Sequence, residues 1–245
     1  MSMRVLLEYT REERVKYISH LDLMRSMQRA IRRAGIPIAY SQGFNPHPVM
    51  AFTSALSVGV TSEREYADIV LTESMSIAVL KEQLNHALPK GITLREAIVI
   101  DEKTPSLMSL VERADYELRV DLLDKDQTRQ AEIDWNKAIE AYENTAEIWI
   151  EKKSKKRVST VNLKDGVWDI RIDEENPSLV HLEMKLGNKG SVKPDSVIHA
   201  ILKLSEQLPN PEAEDLSDLR VSINRTGLYF QRNGKWITPL ALKKG

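Results

Sequence analysis

Apolar positions along the first hundred residues switch between the spacing of strands and that of helices. Residues 4–9 alternate between apolar and polar, as a half-buried strand does, and we read 15–18 as an extension of this strand. A helix over 19–34 follows, with apolar residues three and four positions apart. The remaining predicted elements are strands at 36–40, 49–53, 65–71 and 92–100 and a helix at 76–88. The order strand, helix, strand, strand, helix, strand is that of a ferredoxin-like, or split βαβ, unit.

The second half of the chain repeats this pattern with one insertion. The predicted elements are a strand at 116–122, a helix at 129–144, strands at 167–172 and 179–186, a helix at 195–204, and a strand at 219–224 with another at 227–231. Residues 147–152 and 158–163 predict a hairpin inserted after the first of these helices. The periodicity breaks between 101 and 113. We therefore predict an α+β protein of two tandem ferredoxin-like units, 1–102 and 113–245, the second with an inserted β-hairpin.

The first helix carries the clearest local signals and a basic face. Ser19 and Asp22 have the spacing of a capping box, which predicts that the helix begins at His20, and Gly35 and Pro37 predict its end. At about 100° per residue, four arginines share the side opposite the apolar one. These are Arg25, Arg29, Arg32 and Arg33.

The loop after this helix is unusual in combining rigidity with polar chemistry. Its sequence, 41–48, is Ser-Gln-Gly-Phe-Asn-Pro-His-Pro. The two prolines restrict a segment that carries Gln42, Phe44, Asn45 and His47, and a plain hairpin turn needs none of these groups. We expect this loop to hold a ligand.

Composition excludes several kinds of site. The chain has no cysteine, so these residues contain no disulfide, no cysteine-ligated zinc, no thiolate-bound iron–sulfur cluster and no nucleophilic cysteine. The five histidines lack the spacing of metal ligands, and we predict no metal site. Apolar runs are shorter than the roughly 20 residues that cross a bilayer. The N-terminus lacks a secretory pattern, so we expect a cytoplasmic protein without a membrane anchor.

The net charge of −1 conceals local basic segments. One includes the helix arginines, and another, 152–157, lies at the turn of the predicted inserted hairpin; phosphate backbones select such patches. A third feature is the loop that precedes the helix at 195–204, where glycine, serine and lysine favour an anion. Its predicted anion-binding residues are Lys189, Gly190, Ser191 and Lys193. The loop lacks the spacing of a Walker motif, so we expect no nucleotide hydrolysis.

The stretch 17–48, YISHLDLMRSMQRAIRRAGIPIAYSQGFNPHP, closely resembles the N-terminal signature of the radical-SAM-linked domain of unknown function. Residues 55–59, 62–63, 190–194 and 225–228 are also similar to that family. The resemblance implies a partner of, or an extension to, a cobalamin-binding radical S-adenosylmethionine (SAM) protein, with a role in RNA metabolism. Because this chain has no cysteine, the resemblance places cobalamin, SAM and the iron–sulfur cluster in the partner enzyme and no cofactor in this chain.

These observations together favour a non-catalytic accessory protein that binds or presents an RNA substrate. Ferredoxin-like sheets commonly present aromatic and basic side chains to single-stranded RNA. The predicted substrate-binding residues are His20, Asp22, Arg25, Arg29, Arg32, Arg33, Gln42, Phe44, Asn45 and His47.

Two alternatives remain open at this stage. His20 and His47 could act as the acid–base pair of a metal-independent endoribonuclease. The chain could instead be a purely protein-docking module, which contacts the radical enzyme through the acidic run 61–112 or through Trp149, Trp168 and Trp236.

Overall fold

A computed structural model describes residues 2–123, 130–153, 158–187, 191–210 and 219–244 of the chain. The chain forms two compact units, one made of 1–112 with 225–245 and the other of 113–224. Residues 225–245, which the sequence pattern assigned to the second unit, thus belong to the first. A long strand is the physical reason, since it runs through position 225 and takes the chain from one unit into the other.

The first unit has the ferredoxin-like order of elements. They are β1 (Met3–Arg11), α1 (His20–Arg33), β2 (Met50–Phe52), β3 (Val60–Leu71), α2 (Ile77–Ala87), β4 (Leu94–Ile100) and the short helix α3 (Leu107–Leu110). The sheet order is β4-β1-β3, with β2 on the other side of β3, and each of these pairs is antiparallel. The strand predicted at 15–18 does not form: a 3-10 turn, Glu13–Val15, ends at its first residue, and residues 16–18 continue as a turn and a bend.

Helix α1 forms where the sequence predicted it, and its cap is the expected one. The Ser19 hydroxyl accepts a hydrogen bond from the Asp22 backbone N–H (3.1 Å) and donates one to the Asp22 carboxylate (2.7 Å). Gly35 follows the helix with φ +65°, a conformation that glycine adopts without strain. The apolar side of the helix packs on the sheet through four buried residues: Leu23, Met27, Ala30 and Ile31.

The second unit has the same topology and carries an inserted hairpin. Its elements are β5 (Arg113–Leu123), β6 (Gln130–Ala131), α4 (Trp135–Asn144), β7 (Trp149–Lys153), β8 (Val158–Asn162), β9 (Val167–Ile172), β10 (Leu179–Lys185), α5 (Pro194–Leu204) and β11 (Leu219–Arg232), which ends in the first unit. The sheet order is β11-β5-β10-β9. Strands β7 and β8 pair with each other as a separate two-stranded sheet, which confirms the inserted hairpin.

Element boundaries differ from the sequence pattern at two places in this unit. The helix predicted over 129–144 begins only at Trp135, because the Asp134 side chain caps it by accepting from the Lys137 N–H (3.0 Å) and residues 130–131 pair with β5 instead. The separate strands predicted at 219–224 and 227–231 form one continuous strand, β11, and the short strand β12 (Lys235–Ile237) pairs with its end.

Candidate functional site

Residues 41–47 form a braced loop, which we name the Phe44 loop. Tyr40 and Pro48 pair as an antiparallel bridge at its base, and the Ser41 N–H donates to the His47 carbonyl (2.9 Å). The Ser41 hydroxyl lies 2.9 Å from Nδ1 of His47 and accepts from the His47 N–H (3.1 Å). Gly43 has φ +136°, which only glycine adopts readily. Hydrogen bonds within the loop therefore fix its shape.

The tip of the Phe44 loop presents its side chains outward. The Phe44 ring is fully exposed, at 106% of its reference area, and does not fill the core beneath the loop. Gln42 and Asn45 are exposed on either side of it. A large aromatic ring without burial contributes nothing to folding by the hydrophobic effect, so its place here favours contact with a ligand.

Helix α1 carries the predicted arginines on its exposed face, but their surroundings differ. Arg25 pairs with Asp22 (3.7 Å), and Arg29 donates to the Ser26 hydroxyl (3.0 Å). Arg33 donates to the carbonyl of Ala87 (2.5 Å) at the end of α2, so it joins the two helices. Within the part of the chain that the structure describes, Arg32 has no recorded hydrogen bond or ion pair, which leaves its guanidinium available to an anion.

His20 and His47 do not meet. The His20 ring stands edge-on to the Phe52 ring, with centroids 5.3 Å apart, and Phe52 contacts Tyr9 in the same way at 6.4 Å. The His47 ring lies within hydrogen-bond distance of Ser41 and of the Asn45 carbonyl, both in its own loop. Because residues 47–52 are extended, His47 and Phe52 are about 16 Å apart along the chain at roughly 3.3 Å per residue. The predicted site residues thus form two groups, one on α1 and one in the Phe44 loop.

A buried arginine that the sequence analysis missed organises the chain around the start of α1. Arg11 is completely buried, and its guanidinium donates to four carbonyl oxygens. The acceptors are those of Val15 (3.4 Å), Lys16 (2.9 Å), Ile18 (2.5 Å) and Leu56 (3.3 Å). Burial lowers the pKa of Arg11, while the nearby Glu65 carboxylate raises it. Arg11 therefore ties residues 15–18 to residues 53–59, which we name the 53–59 segment.

A second buried arginine holds the other side of the 53–59 segment. Arg225 forms two hydrogen bonds with the Glu65 carboxylate (2.7 and 2.5 Å) and a third with the Ser54 hydroxyl (3.1 Å). Both side chains of the ion pair are almost fully buried, at 1% and 3% exposure. Tyr9 lies beside them, and burial raises the pKa of its hydroxyl well above the ordinary value, with the Glu65 charge adding to the effect. The Glu65 carboxylate is thus the direct ion-pair partner of the buried Arg225.

Three exposed apolar side chains lie on or beside residues 15–18 and the 53–59 segment. Tyr17 (71% exposed) precedes α1, Leu21 (56%) lies in its first turn, and Val58 (58%) belongs to the 53–59 segment. Gly59 donates its N–H to the Lys16 carbonyl (2.8 Å), which joins the two segments. None of these residues was among the predicted site residues.

The remaining predicted features are only partly within the described residues. Of the predicted anion-binding loop, Lys189 and Gly190 lie outside them, Ser191 is half-buried, and Lys193 is exposed at the start of α5. The basic segment 152–157 also lies largely outside them. Of the tryptophans offered for docking, Trp149 (59%) and Trp168 (42%) are exposed, and Trp236 is half-buried.

The described residues contain neither a cluster of metal ligands nor a membrane-spanning helix. No three histidine, aspartate or glutamate side chains there lie close enough together to hold a metal ion. Every helix in the same residues is too short or too polar to cross a lipid bilayer.

Comparisons with known proteins give a family without a described activity. The model of the family described as "Uncharacterized protein conserved in bacteria (DUF2344)" matches residues 4–194. Among solved structures, a Cbf5-Nop10-Gar1 complex is similar over 94% of this chain at 12% identity and a TM-score of 0.45, and the chain spans 50% of the length of that match. An unknown protein from Galdieria sulphuraria is similar over 92% of this chain and 99% of its own, at 9% identity and a TM-score of 0.28. No curated protein matches significantly.

Proposed function

We propose a function from the structure of the first unit, because the chain belongs to this family of uncharacterized proteins conserved in bacteria, whose description names no activity. The chain binds single-stranded RNA and presents it to a cobalamin-binding radical SAM enzyme. It is an accessory protein of the cytoplasm and performs no chemistry itself. The observation that carries the proposal is the fully exposed Phe44 ring on a loop braced by its own hydrogen bonds.

The Phe44 loop suits an unpaired base. Stacking of a base on an exposed aromatic ring contributes about 1–3 kcal/mol. A ring on a loop whose shape is already fixed loses little conformational freedom when it binds, so more of that energy appears as affinity. Gln42 and Asn45 flank the ring with amide groups that can donate to and accept from a base edge.

The exposed face of α1 suits a phosphate backbone. Arg29 and Arg32 lie about one turn apart on the helix, a rise of about 4.5 Å. Among the described residues, Arg32 forms no hydrogen bond or ion pair and Arg29 donates to a serine hydroxyl, so both can exchange their present surroundings for phosphate oxygens at small cost. Arg33 contributes less, because it already joins α1 to α2.

The separation of the two histidines favours binding over cleavage. An acid–base pair must reach the same phosphodiester, which requires both imidazoles within hydrogen-bond distance of the reacting atoms. His20 contacts Phe52, whereas His47 lies in the Phe44 loop, about 16 Å from Phe52 along the extended chain. The endoribonuclease alternative therefore has little geometric support.

The radical SAM partner rests on the sequence resemblance alone. Cobalamin, SAM and the iron–sulfur cluster belong to that partner, since this chain has no thiolate to hold a cluster. The purified radical enzyme of the same bacterium, mixed with this chain, tests the partnership by a shared peak in size-exclusion chromatography. Separate elution at all ratios would remove the partner from the proposal and leave RNA binding to be judged by itself.

RNA binding is tested by fluorescence anisotropy with a labelled single-stranded oligonucleotide. We expect Phe44→Ala to weaken the affinity by about 5- to 150-fold, the equivalent of 1–3 kcal/mol of stacking. Val58→Ala is the matched control, because it truncates another exposed apolar side chain and should leave the affinity unchanged. Equal affinities of wild type and Phe44→Ala would exclude the Phe44 loop as the RNA site.

A further inference from the structure

A cleft in the second unit is large enough for one small molecule. Its volume is about 310 Å³, which is the lower end of the range for small-molecule pockets. Val120, Ile133, Trp135 and Pro177 supply apolar walls, and Glu132 and Ser178 supply the polar groups. Apolar side chains beside polar groups can contact the flat face of a ring and hydrogen-bond to its edge.

Hydrogen bonds hold the walls of this cleft in place. The Gln207 side chain accepts from the Asp134 N–H (2.7 Å) and donates to the Asp134 carbonyl (2.9 Å), which fixes the backbone between Glu132 and Trp135. The Val120 N–H donates to the Ser178 carbonyl (2.9 Å), which joins β5 to the turn before β10. The cleft is therefore formed before any ligand arrives.

We infer that this cleft binds a nucleobase that carries an exocyclic amino group, which donates a hydrogen bond to the Glu132 carboxylate. A planar base buries its faces against the apolar walls, and a carboxylate is the acceptor that proteins use for such amino groups. The available volume of about 310 Å³ is enough for one base with part of its sugar. This inference rests on the proposed function, since a nucleobase is the part of RNA that such a cleft would take.

A cationic side chain is the competing occupant, and the lining favours the base over it. A guanidinium has five N–H donors, and one carboxylate with one hydroxyl would leave most of them without acceptors among apolar walls. An amino group on a base has two donors and brings an aromatic ring that benefits from the same walls.

Nuclear magnetic resonance of the ¹⁵N-labelled full chain tests the inference without any RNA. The probe is the indole N–H resonance of Trp135, assigned by its absence in Trp135→Phe. We expect cytidine, adenosine or guanosine at millimolar concentration to shift this resonance saturably. Uridine, which has a carbonyl where cytidine has its amino group, should bind more weakly. No shift with any amino-bearing nucleoside, or equal affinity for cytidine and uridine, would overturn the inference.

Glu132→Gln identifies the acceptor, and Glu143→Gln, an exposed change on α4 away from the cleft lining, is its control. We expect Glu132→Gln to weaken cytidine binding by about tenfold, because a neutral hydrogen bond replaces a charge-assisted one. Unchanged affinity in Glu132→Gln, or tighter binding of arginine amide than of cytidine, would overturn the inference. Phe44→Ala separates the two proposals. If Phe44→Ala loses RNA binding and keeps cytidine binding, the Phe44 loop and the cleft are separate sites. If the wild-type chain binds cytidine and does not bind RNA, the cleft is supported and the RNA-binding proposal is wrong.

Discussion

The Phe44 loop and the 53–59 segment lie on either side of the same short strand, β2, yet they are held in opposite ways. The Phe44 loop keeps its shape through hydrogen bonds between its own residues, Ser41 and His47, and exposes its side chains. The buried guanidinium groups of Arg11 and Arg225 hold the 53–59 segment by hydrogen bonds. A loop of the first kind can change its tip residues without loss of stability, whereas a segment of the second kind belongs to the core.

The largest difference between the two regions should appear when the buried ion pair is broken. We expect Arg225→Met to lower the free energy of unfolding by about 3–5 kcal/mol, because it leaves the Glu65 carboxylate buried without its partner. Urea unfolding measures the effect. Arg171→Met, which removes the ion pairs of an exposed arginine with Asp169 and Glu183, should cost about 0–1 kcal/mol. The double change Glu65→Leu with Arg225→Met should regain much of the loss, and equal losses in the single and double variants would contradict this account of the pair.

Arg11→Met should have the next largest effect. We expect a loss of about 2–4 kcal/mol, since several buried carbonyl oxygens lose their donor at about 1 kcal/mol or more each. Hydrogen exchange localises the change. Amides of 12–19 and of the 53–59 segment should exchange faster, while those of the Phe44 loop stay as in the wild type. Faster exchange in both regions would show that the two are not held separately.

Charge reversal on α1 tests whether its exposed arginines contact RNA phosphates. We expect Arg29→Glu with Arg32→Glu to leave the fold intact and to weaken RNA binding most at low salt. The slope of log affinity against log salt should fall by about 1.4, the value for two phosphate contacts on a single strand. Arg95→Glu, an exposed change on β4, is the control. The same salt slope in the double variant and in the wild type would remove α1 from the RNA site.

The smallest expected effect concerns the brace of the Phe44 loop. Ser41→Ala removes the hydroxyl between the His47 N–H and ring, and we expect a loss of stability of at most about 1 kcal/mol because water replaces these exposed bonds. RNA affinity should fall by about 2- to 5-fold, since the Phe44 ring is then less well ordered before binding. Ser57→Ala serves as the control. Unchanged affinity would mean that the brace does not prepare the loop for RNA.

The sequence was informative where local chemistry decides the structure. Ser19, Asp22 and Gly35 predicted the limits of α1 because caps and helix ends depend on a few adjacent residues. The repeated order of strands and helices predicted two ferredoxin-like units and the inserted hairpin. The late start of α4 escaped the pattern, although Asp134 three residues before Lys137 is a cap signal.

The buried charges could not be read in the same way. Arginine is mostly exposed in proteins, so Arg11 and Arg225 look like surface residues in a sequence. Only the position of Arg11 was a hint, since it continues the alternation of the core residues Val5, Leu7 and Tyr9 along β1. The partner of Arg225, Glu65, lies 160 residues away, and such distant pairs follow from the packing of the whole unit.

Crosslinking of the purified chain to total cellular RNA, followed by sequencing of the bound fragments, tests RNA presentation most directly. Phe44→Ala is the matched control, because the fully exposed ring can be removed without disturbing the core. We expect the wild type to enrich a defined set of single-stranded fragments and Phe44→Ala to lose them. Equal fragments and equal yields from both proteins would contradict it and would leave the chain as a docking subunit of its partner.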